Sequence, residues 1–234
     1  LVPSAARFAS HASGPLRIGR RVVEAIDKSD EPIGYLSSGN STRNVLVLGE
    51  ENDFPYASDL AKAHPDWQIV GTRYGNPSEG QVMLSNSGNL MLLDNVDATE
   101  LLRGTYTGNL KFDDIVFNGP RAGKGWLKET GDLIEDTLKS AKDVLKPYGS
   151  MRFSTGGGMP AVARFESTSG GYGALKKIWL EKYYPDYVGF TRMKGFTSDP
   201  EFGLSSYKPL RNGGRPMITP GLNDIYWYIF MRGQ

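Results

Sequence analysis

The chain lacks residue types on which several classes of function depend. None of its 234 residues is cysteine, so disulfides, thiolate metal sites and a cysteine nucleophile are excluded. His11 and His64 are the only histidines, which are too few to predict a metal site. No apolar run is as long as a membrane-spanning helix. We therefore expect neither a metal nor a membrane among the partners of this chain.

A strong charge of one sign is also missing. Lys and Arg together number 27 and Asp and Glu 26, which gives a formal net charge of +1. Because this balance creates no field around the whole protein that would attract nucleic acid, any RNA-binding surface must be local. Hydrophobic residues make up 39% of the chain and charged residues 23%, values typical of a globular protein with a sizeable core.

The first 40 residues differ in character from the rest. Residues 1–40 predict an N-terminal extension with a loose lead-in, a short amphipathic helix around residues 16–26 and a linker rich in Ser, Gly and Asp. Residues 41–234 predict one domain. Since the first residue is Leu, we also consider that the extension joins this domain to a parent polypeptide, as in a toxin or effector domain at the C-terminus of a larger secreted bacterial protein.

From residue 44 onward, short apolar segments alternate with helical patterns. The apolar segments predict strands at residues 44–49, 67–72, 90–97, 112–118 and 150–155. The helical patterns lie at residues 56–64, within 78–86, from 98 onward, at 129–145 and at 171–183. Such alternation is typical of a parallel sheet that is covered by helices on both faces. Two further apolar segments, 187–193 and 224–233, predict a closing pair of strands. The predicted fold is α/β and Rossmann-like, with a mostly parallel sheet and an antiparallel closing strand.

The segment G-E-E-N-D-F at residues 49–54 follows the first predicted strand directly. Gly49 permits the backbone to approach a ligand closely, and the next helix would direct its N-terminal amides to the same place. A dinucleotide site would need G-x-G-x-x-G, whereas this turn has one glycine and three acids, which repel phosphate and attract a cation. The turn therefore favours S-adenosylmethionine, which carries an ammonium and a sulfonium, over NAD or ATP. A plain strand-to-helix connection remains the alternative.

Several motifs then occur in the order expected for one family. They are G-E-E-N-D-F at 49–54, T-R-Y-G at 72–75, V-D-A-T at 96–99, K-F-D and F-N-G-P within 111–120, and a helix that ends in K-P-Y-G at 146–149. Together they resemble the Rossmann-like methyltransferases typified by a 25S ribosomal RNA uridine-N3 methyltransferase. The resemblance spans about residues 44–160. It implies a methyltransferase that uses S-adenosylmethionine, acts in the cytoplasm and methylates a base nitrogen of RNA.

The resemblance also implies which residues bind the cofactor. These are Gly49, Glu50, Asp53, Phe54, Thr72, Asp97 and Ala98. Asp97 would face the adenine amino group, and Ala98 is small enough to let the ring lie flat. The alternative for Asp97 is a helix N-cap, because a helical pattern begins directly after it.

The acceptor side is implied by the segment after the fourth predicted strand. Methyltransferases that act on nitrogen often carry Asn-x-Pro here, so Asn118 and Pro120 are the catalytic candidates. The amide oxygen of Asn118 would accept a hydrogen bond from the target N–H and orient its lone pair toward the methyl group. Arg121 and Lys124 follow and would contact phosphates of the substrate. The alternatives are a loop stiffened by proline and basic residues that are merely solvated.

This sequence departs from the family pattern on the cofactor side. Its turn is one residue longer than the family turn and has one glycine fewer. Gly75 stands where the family has an Asp that holds ribose hydroxyls, and Glu79 or Glu50 would have to replace that acid. Arg121 stands where the family has histidine. These departures keep a second function in consideration, namely a non-catalytic module of methyltransferase fold that binds a cofactor or a partner.

Overall fold

The computed structural model describes nine segments of the chain. These are residues 42–50, 53–103, 110–120, 128–156, 185–194, 200–204, 210–211, 215–216 and 225–234. The predicted helices around 16–26 and at 171–183 lie outside the described residues. The predicted domain boundary at residue 41 stays a prediction for the same reason.

Ten β-strands and two α-helices are described, and one helix follows the first strand while the other follows the fifth. The helices are α1 Pro55–Ala63 and α2 Lys128–Ala141. The strands are β1 Arg43–Leu48, β2 Trp67–Thr72, β3 Val82–Ser87, β4 Leu90–Asp94, β5 Phe112–Asn118, β6 Leu145–Gly156, β7 Tyr187–Lys194, β8 Leu210–Arg211, β9 Arg215–Pro216 and β10 Ile225–Arg232.

Eight of these strands form one sheet in the order β3-β4-β2-β1-β5-β6-β10-β7, and β8 and β9 pair separately. The five strands β4, β2, β1, β5 and β6 are parallel to one another. β10 runs antiparallel between β6 and β7. The predicted α/β fold, with five parallel strands and an antiparallel closing strand, is therefore confirmed.

Helices pack on both faces of the sheet, as predicted. Successive residues of β1 point to opposite faces of the sheet. Leu46 belongs to the core cluster that includes Ile134 and Leu138 of α2. Val47 belongs to the second cluster, which includes Leu60 of α1. This period of two is the pattern of a strand that is buried on both faces. No helix in the described part of the chain is both long and apolar enough to cross a membrane.

The helix predicted within 78–86 is wrong. A short 3₁₀ turn, Pro77–Glu79, is followed there by the strand β3, which pairs antiparallel with β4 at the edge of the sheet. Ser87 lies opposite Leu90, so Gly88 and Asn89 form a two-residue hairpin loop. Gly-Asn between two short runs is a hairpin signal, and it should have decided between strand and helix.

Three predicted boundaries also differ from the structure. The strand predicted at 90–97 ends at Asp94, because Asn95 has a positive φ of 58° and turns the chain. The helix predicted from 98 is only a 3₁₀ turn, Leu101–Arg103. The helix predicted at 129–145 ends at Ala141, and K-P-Y-G lies inside the long strand β6 rather than at the end of a helix.

The topology identifies the carboxyl ends of the parallel strands as the place for a ligand. The chain proceeds from β1 to β2 and β4 on one side and then returns to β5 on the other side of β1. Strand order therefore reverses between β1 and β5. In open α/β sheets, ligands bind beyond the carboxyl ends of the strands at such a switch point. The residues that follow β1, β2, β4 and β5 are therefore the candidates for contact with a ligand.

Candidate active site

The turn after β1 requires glycine at its first position. Gly49 has a φ of +65°, and a Cβ atom there would lie 2.6 Å from Cε2 of Phe117 in β5. Both features exclude an ordinary side chain. The next residue, Glu50, donates its backbone N–H to the carbonyl oxygen of Thr72 at 2.8 Å, which ties the turn to the end of β2. The close neighbour of Gly49 is thus the ring of Phe117, and the predicted approach of a ligand stays a prediction.

The carboxylate of Glu50 caps helix α1. Its two oxygens accept hydrogen bonds from the backbone N–H groups of Tyr56, at 3.1 Å, and Ala57, at 2.9 Å. Phe54, the residue before the helix, is buried in a left-handed conformation and provides no side-chain cap, so Glu50 takes over that function. Asp53 is exposed at the turn. The helix amides that the sequence analysis directed at a ligand are therefore bonded to Glu50.

Thr72 joins the ends of β1 and β2. Its buried hydroxyl donates a hydrogen bond of 3.0 Å to the carbonyl oxygen of Val47. Its own carbonyl accepts the hydrogen bond from Glu50. Through these two bonds Thr72 shapes the floor of the site.

The segment after β2 is fastened to the segment after β4 by side chains. The guanidinium of Arg73 makes two hydrogen bonds to the carboxylate of Asp94. Burial acts to raise the pKa of Asp94, but hydrogen bonds from Arg73 and from the N–H of Asn95 outweigh it and lower that pKa. The hydrogen bond with Asp94 raises the pKa of Arg73. Asn95 completes the link, since its side-chain oxygen accepts from the N–H of Asn76 at 2.8 Å.

The side chains of Asn95 and Asp94 occupy the space beside Gly75, the position at which the family has an acid that holds ribose hydroxyls. A Cβ atom at Gly75 would lie 2.2 Å from Oδ1 of Asn95 and 2.7 Å from Oδ1 of Asp94. The two substitutes named in the sequence analysis are also engaged elsewhere. Glu50 caps α1, and Glu79 accepts a hydrogen bond of 2.6 Å from the side chain of Asn76 in an exposed turn. An acid at position 75 would therefore have to displace the side chains of Asn95 and Asp94, a contact that the sequence alone does not reveal.

Asp97 closes a turn and does not cap a helix, since the next 3₁₀ turn begins only at Leu101. Its Oδ1 atom accepts hydrogen bonds from the backbone N–H of Thr99, at 2.8 Å, and from the hydroxyl of the same residue, at 2.7 Å. Within the described residues both bonds use Oδ1 and none uses Oδ2, so this arrangement is compatible with a second, adenine-binding role. Ala98 is buried within the core cluster that contains α2.

Asn118 ends β5 directly across the switch point from Gly49. Its side-chain oxygen lies 3.5 Å from the hydroxyl of Ser154 in β6. Its side-chain nitrogen, Nδ2, is buried and has no hydrogen-bond partner in the described part of the chain. Gly119 follows and donates its N–H to both the carbonyl and the hydroxyl oxygen of Ser154, each at 3.1 Å. Pro120 is buried. A buried amide nitrogen without a partner is rare and calls for an explanation.

A second unpaired buried atom also lies near the carboxyl ends of the strands. Among the described residues, Oε1 of Gln81 is the other buried side-chain atom without a hydrogen-bond partner. Gln81 immediately precedes Val82, which pairs with Asp94 at the carboxyl end of β4. Gln81 belongs to none of the sequence motifs, and no motif predicts that Ser154 contacts Asn118. Arg121 and Lys124, the predicted substrate-binding residues, lie outside the described residues.

A polar cluster at the amino ends of the strands is explained by ion pairs and hydrogen bonds among its own residues. Near the amino ends of the strands, the buried carboxylate of Asp114 accepts hydrogen bonds from Arg43, Ser150 and Arg152. Arg152 also pairs with Glu201 at 2.6 Å. A cleft of about 440 Å³ opens beside this cluster. Because its charges are paired with one another, the cluster provides no net charge for a ligand. No group of three or more potential metal ligands occurs within the described residues.

Crystal structures of methyltransferases resemble the fold at low sequence identity. The aminoglycoside resistance methyltransferase NpmB1 is 16% identical, with 83% of this chain and 89% of that chain covered and a TM-score of 0.48. The 16S rRNA (adenine(1408)-N(1))-methyltransferase from Catenulisporales acidiphilia gives the same four values. The 16S rRNA methyltransferase KamB is 14% identical over 83% and 90% of the two chains, with a TM-score of 0.44. With TM-scores below 0.5, these likenesses add no argument to the strand order. No curated protein matches the chain in sequence.

The order of the strands, with β10 inserted antiparallel after five parallel strands, defines a Rossmann-like class I methyltransferase. A family model described as rRNA (uridine-N3-)-methyltransferase BTM5-like matches residues 46–179, more than half of the 234 residues. The chain therefore belongs to this BMT5-like family. Its function is S-adenosylmethionine-dependent methylation of RNA, as the sequence resemblance implied.

Proposed function

We propose that this protein transfers the methyl group of S-adenosylmethionine to N3 of a uridine in ribosomal RNA. The observation that carries the proposal is the buried, unpaired amide nitrogen of Asn118 at the switch point. A polar atom of this kind costs free energy until a ligand satisfies it. The family of the chain supports the choice of uridine N3 and of ribosomal RNA.

The cofactor would lie across the ends of β1, β2 and β4. Gly49 supports this position through its place in the fold, because it opens the turn that follows β1 at the switch point. Asp97 would accept from the adenine amino group through Oδ2, beside the small side chain of Ala98. Glu50 and Thr72 would act indirectly, by holding the shape of the turn. Phe54 would form part of the apolar wall, and Asp53 remains the exposed acid nearest to the turn.

The acceptor base would lie beyond β5. Asn118 would hydrogen-bond the base, and Pro120 would fix the backbone that carries Asn118. Bound S-adenosylmethionine supplies an electrophilic methyl group, so the protein has to position the nitrogen in line with it and keep water out. Arg121 and Lys124 would contact phosphates on either side of the target base. The place of action would then be a compartment that contains ribosomal RNA, the cytoplasm or the nucleus.

The test is a transfer assay with tritiated S-adenosylmethionine and total ribosomal RNA as acceptor. We expect label in RNA, and after digestion to nucleosides we expect it in N3-methyluridine. DNA and protein extracts serve as parallel acceptors. Label in protein but not in RNA would refute the substrate class, and label in another nucleoside would refute uridine N3.

Two variants separate cofactor binding from transfer. Asp97→Ala should weaken S-adenosylmethionine binding by about 1–3 kcal/mol, because the adenine amino group would lose a buried partner. Calorimetry measures this, and unchanged affinity in a less stable variant would leave Asp97 with a structural role in the turn only. Asn118→Ala should reduce turnover strongly with cofactor affinity nearly unchanged, because it touches only the acceptor. Equal losses in both would contradict that assignment.

One observation favours the second candidate function, a non-catalytic module of the same fold. The position of the ribose acid is closed by Asn95 in this chain. If neither S-adenosylmethionine nor S-adenosylhomocysteine binds in calorimetry or raises the melting temperature, the non-catalytic function would be the better account. The family match gives no support to a toxin domain or to a secreted parent protein.

A further inference from the structure

Ser154 holds the peptide that follows Asn118. The two residues lie opposite each other in the register of β5 and β6. The hydroxyl oxygen of Ser154 accepts the N–H of Gly119 at 3.1 Å. The hydroxyl proton of Ser154 then faces Oδ1 of Asn118, 3.5 Å away. This distance is longer than that of an ordinary hydroxyl hydrogen bond, so the contact biases the orientation of the amide without holding it rigidly.

The contact decides which end of the Asn118 amide faces the acceptor. With Oδ1 turned toward Ser154, the amide nitrogen Nδ2 is the atom left buried without a partner among the described residues. An amide nitrogen is a donor only. We propose that Ser154 is a positioning residue, which turns the Asn118 N–H toward a carbonyl oxygen next to the target nitrogen. This inference rests on the proposed function, and it reverses the hydrogen-bond direction expected from the sequence.

The chemistry of a uracil ring gives such a donor a catalytic role. N3 lies between two carbonyl groups and carries a proton, which must leave before its lone pair can attack. The proton goes to bulk water before the base is enclosed in the site, and the negative charge that remains spreads onto the carbonyl oxygens. N3 then bonds to the methyl carbon, the bond from that carbon to sulfur breaks, and its electron pair returns to sulfur. A donor on the carbonyl stabilises the anion and lowers the pKa of N3.

The test is the pH dependence of turnover for variants of Ser154 and Asn118, with total ribosomal RNA and saturating S-adenosylmethionine. For Ser154→Ala we expect turnover at neutral pH to fall about tenfold or less, the worth of one oriented hydrogen bond. The loss should shrink as pH rises, because hydroxide can then ionise N3 without help. Ser154→Thr keeps the hydroxyl and should keep the wild-type profile.

Ser150→Ala is the matched control, since Ser150 lies on the same strand and the same face but bonds to Asp114. It should lower stability and leave the pH profile unchanged. Asn118→Asp replaces the donor by an acceptor and should lose turnover. The affinity for S-adenosylmethionine, measured by calorimetry, should stay constant in all four variants.

Two results would overturn the inference while the proposed function stands. The first is a loss for Ser154→Ala that is equal at every pH, which would make Ser154 a structural residue. The second is wild-type turnover in Asn118→Asp, which would make the amide oxygen the working atom. If the wild-type protein itself places no label in uridine, the proposed function fails, and this outcome is separate from the two above.

Discussion

Introducing the family acid at position 75 should fail to improve cofactor binding in this chain. In Gly75→Asp the new Cβ atom would meet Oδ1 of Asn95 at 2.2 Å. Asn95 would have to rotate and give up its hydrogen bond to the N–H of Asn76, which costs about 1 kcal/mol. The new carboxylate would also lie next to that of Asp94, which adds up to about 1 kcal/mol at a solvated site.

A smaller effect opposes this loss. Replacing glycine restricts the unfolded chain and recovers about 0.4–1 kcal/mol. The net destabilisation is therefore about 1 kcal/mol, which for a protein of this size lowers the melting temperature by about 2–4 °C. Gly75→Ala is the control, because it introduces the steric contact without the charge. The measurements are denaturant unfolding for stability and calorimetry for S-adenosylmethionine.

A double variant separates the steric cause from any other. Asn95→Gly removes the obstructing side chain and tolerates the positive φ of Asn95. The double variant, Gly75→Asp with Asn95→Gly, should be destabilised by about 1 kcal/mol less than the sum of the two single variants. This double variant should also bind S-adenosylmethionine more tightly than Asn95→Gly alone. If Gly75→Asp alone keeps wild-type stability and binds the cofactor more tightly, position 75 is open to an acid and the reasoning is refuted.

Three further predictions concern the framework of the fold. Glu50→Ala should lower the free energy of unfolding by about 0.5–2 kcal/mol, as for other lost helix caps, and a neutral result in denaturant unfolding would contradict the cap. Phe202→Ala should cost about 3–5 kcal/mol in the same measurement, because this ring is fully buried; a cost below 1 kcal/mol would show that the site collapses around the change. Arg73→Met should melt below the wild type near neutral pH. The folded pKa of Asp94 is lowered from 3.8, so its stabilisation is complete above that pH and is lost as pH falls through the lowered value. The difference in melting temperature should therefore close in acid, and a constant difference would contradict the pairing.

Much of the fold could be predicted because its strands are buried on both faces. Residues such as Val45 and Leu46 of β1 belong to opposite core clusters, and that arrangement requires a continuous apolar run. The strand β3 was missed because it lies at the sheet edge. Ser85 and Asn86 are exposed there, so no apolar run or helical period distinguishes the segment. Its only local signal is the turn at Gly88.

The part of the site that follows β1 and β5 could be predicted from motifs, but its contacts could not. Asn118 and Ser154 are 36 residues apart and meet only through the register of two strands. Phe202 is a further example: it packs against Trp67 and lies beneath the guanidinium group of Arg43, although the three residues come from distant segments. Contacts of this kind depend on tertiary packing, which no pattern in a single segment encodes.

The acids that follow Gly49 give weaker support for a cationic ligand in the structure than in the sequence. Three acids follow Gly49 in the sequence, and their charge was the reason to prefer a cationic ligand. The carboxylate of Glu50 is directed at the N–H groups of Tyr56 and Ala57, so part of its charge is balanced by the helix dipole. The glycine, in contrast, is required by two independent facts, its φ of +65° and the ring 2.6 Å from its Cβ position. The preference for S-adenosylmethionine therefore rests more firmly on the family of the chain than on the number of acids in this turn.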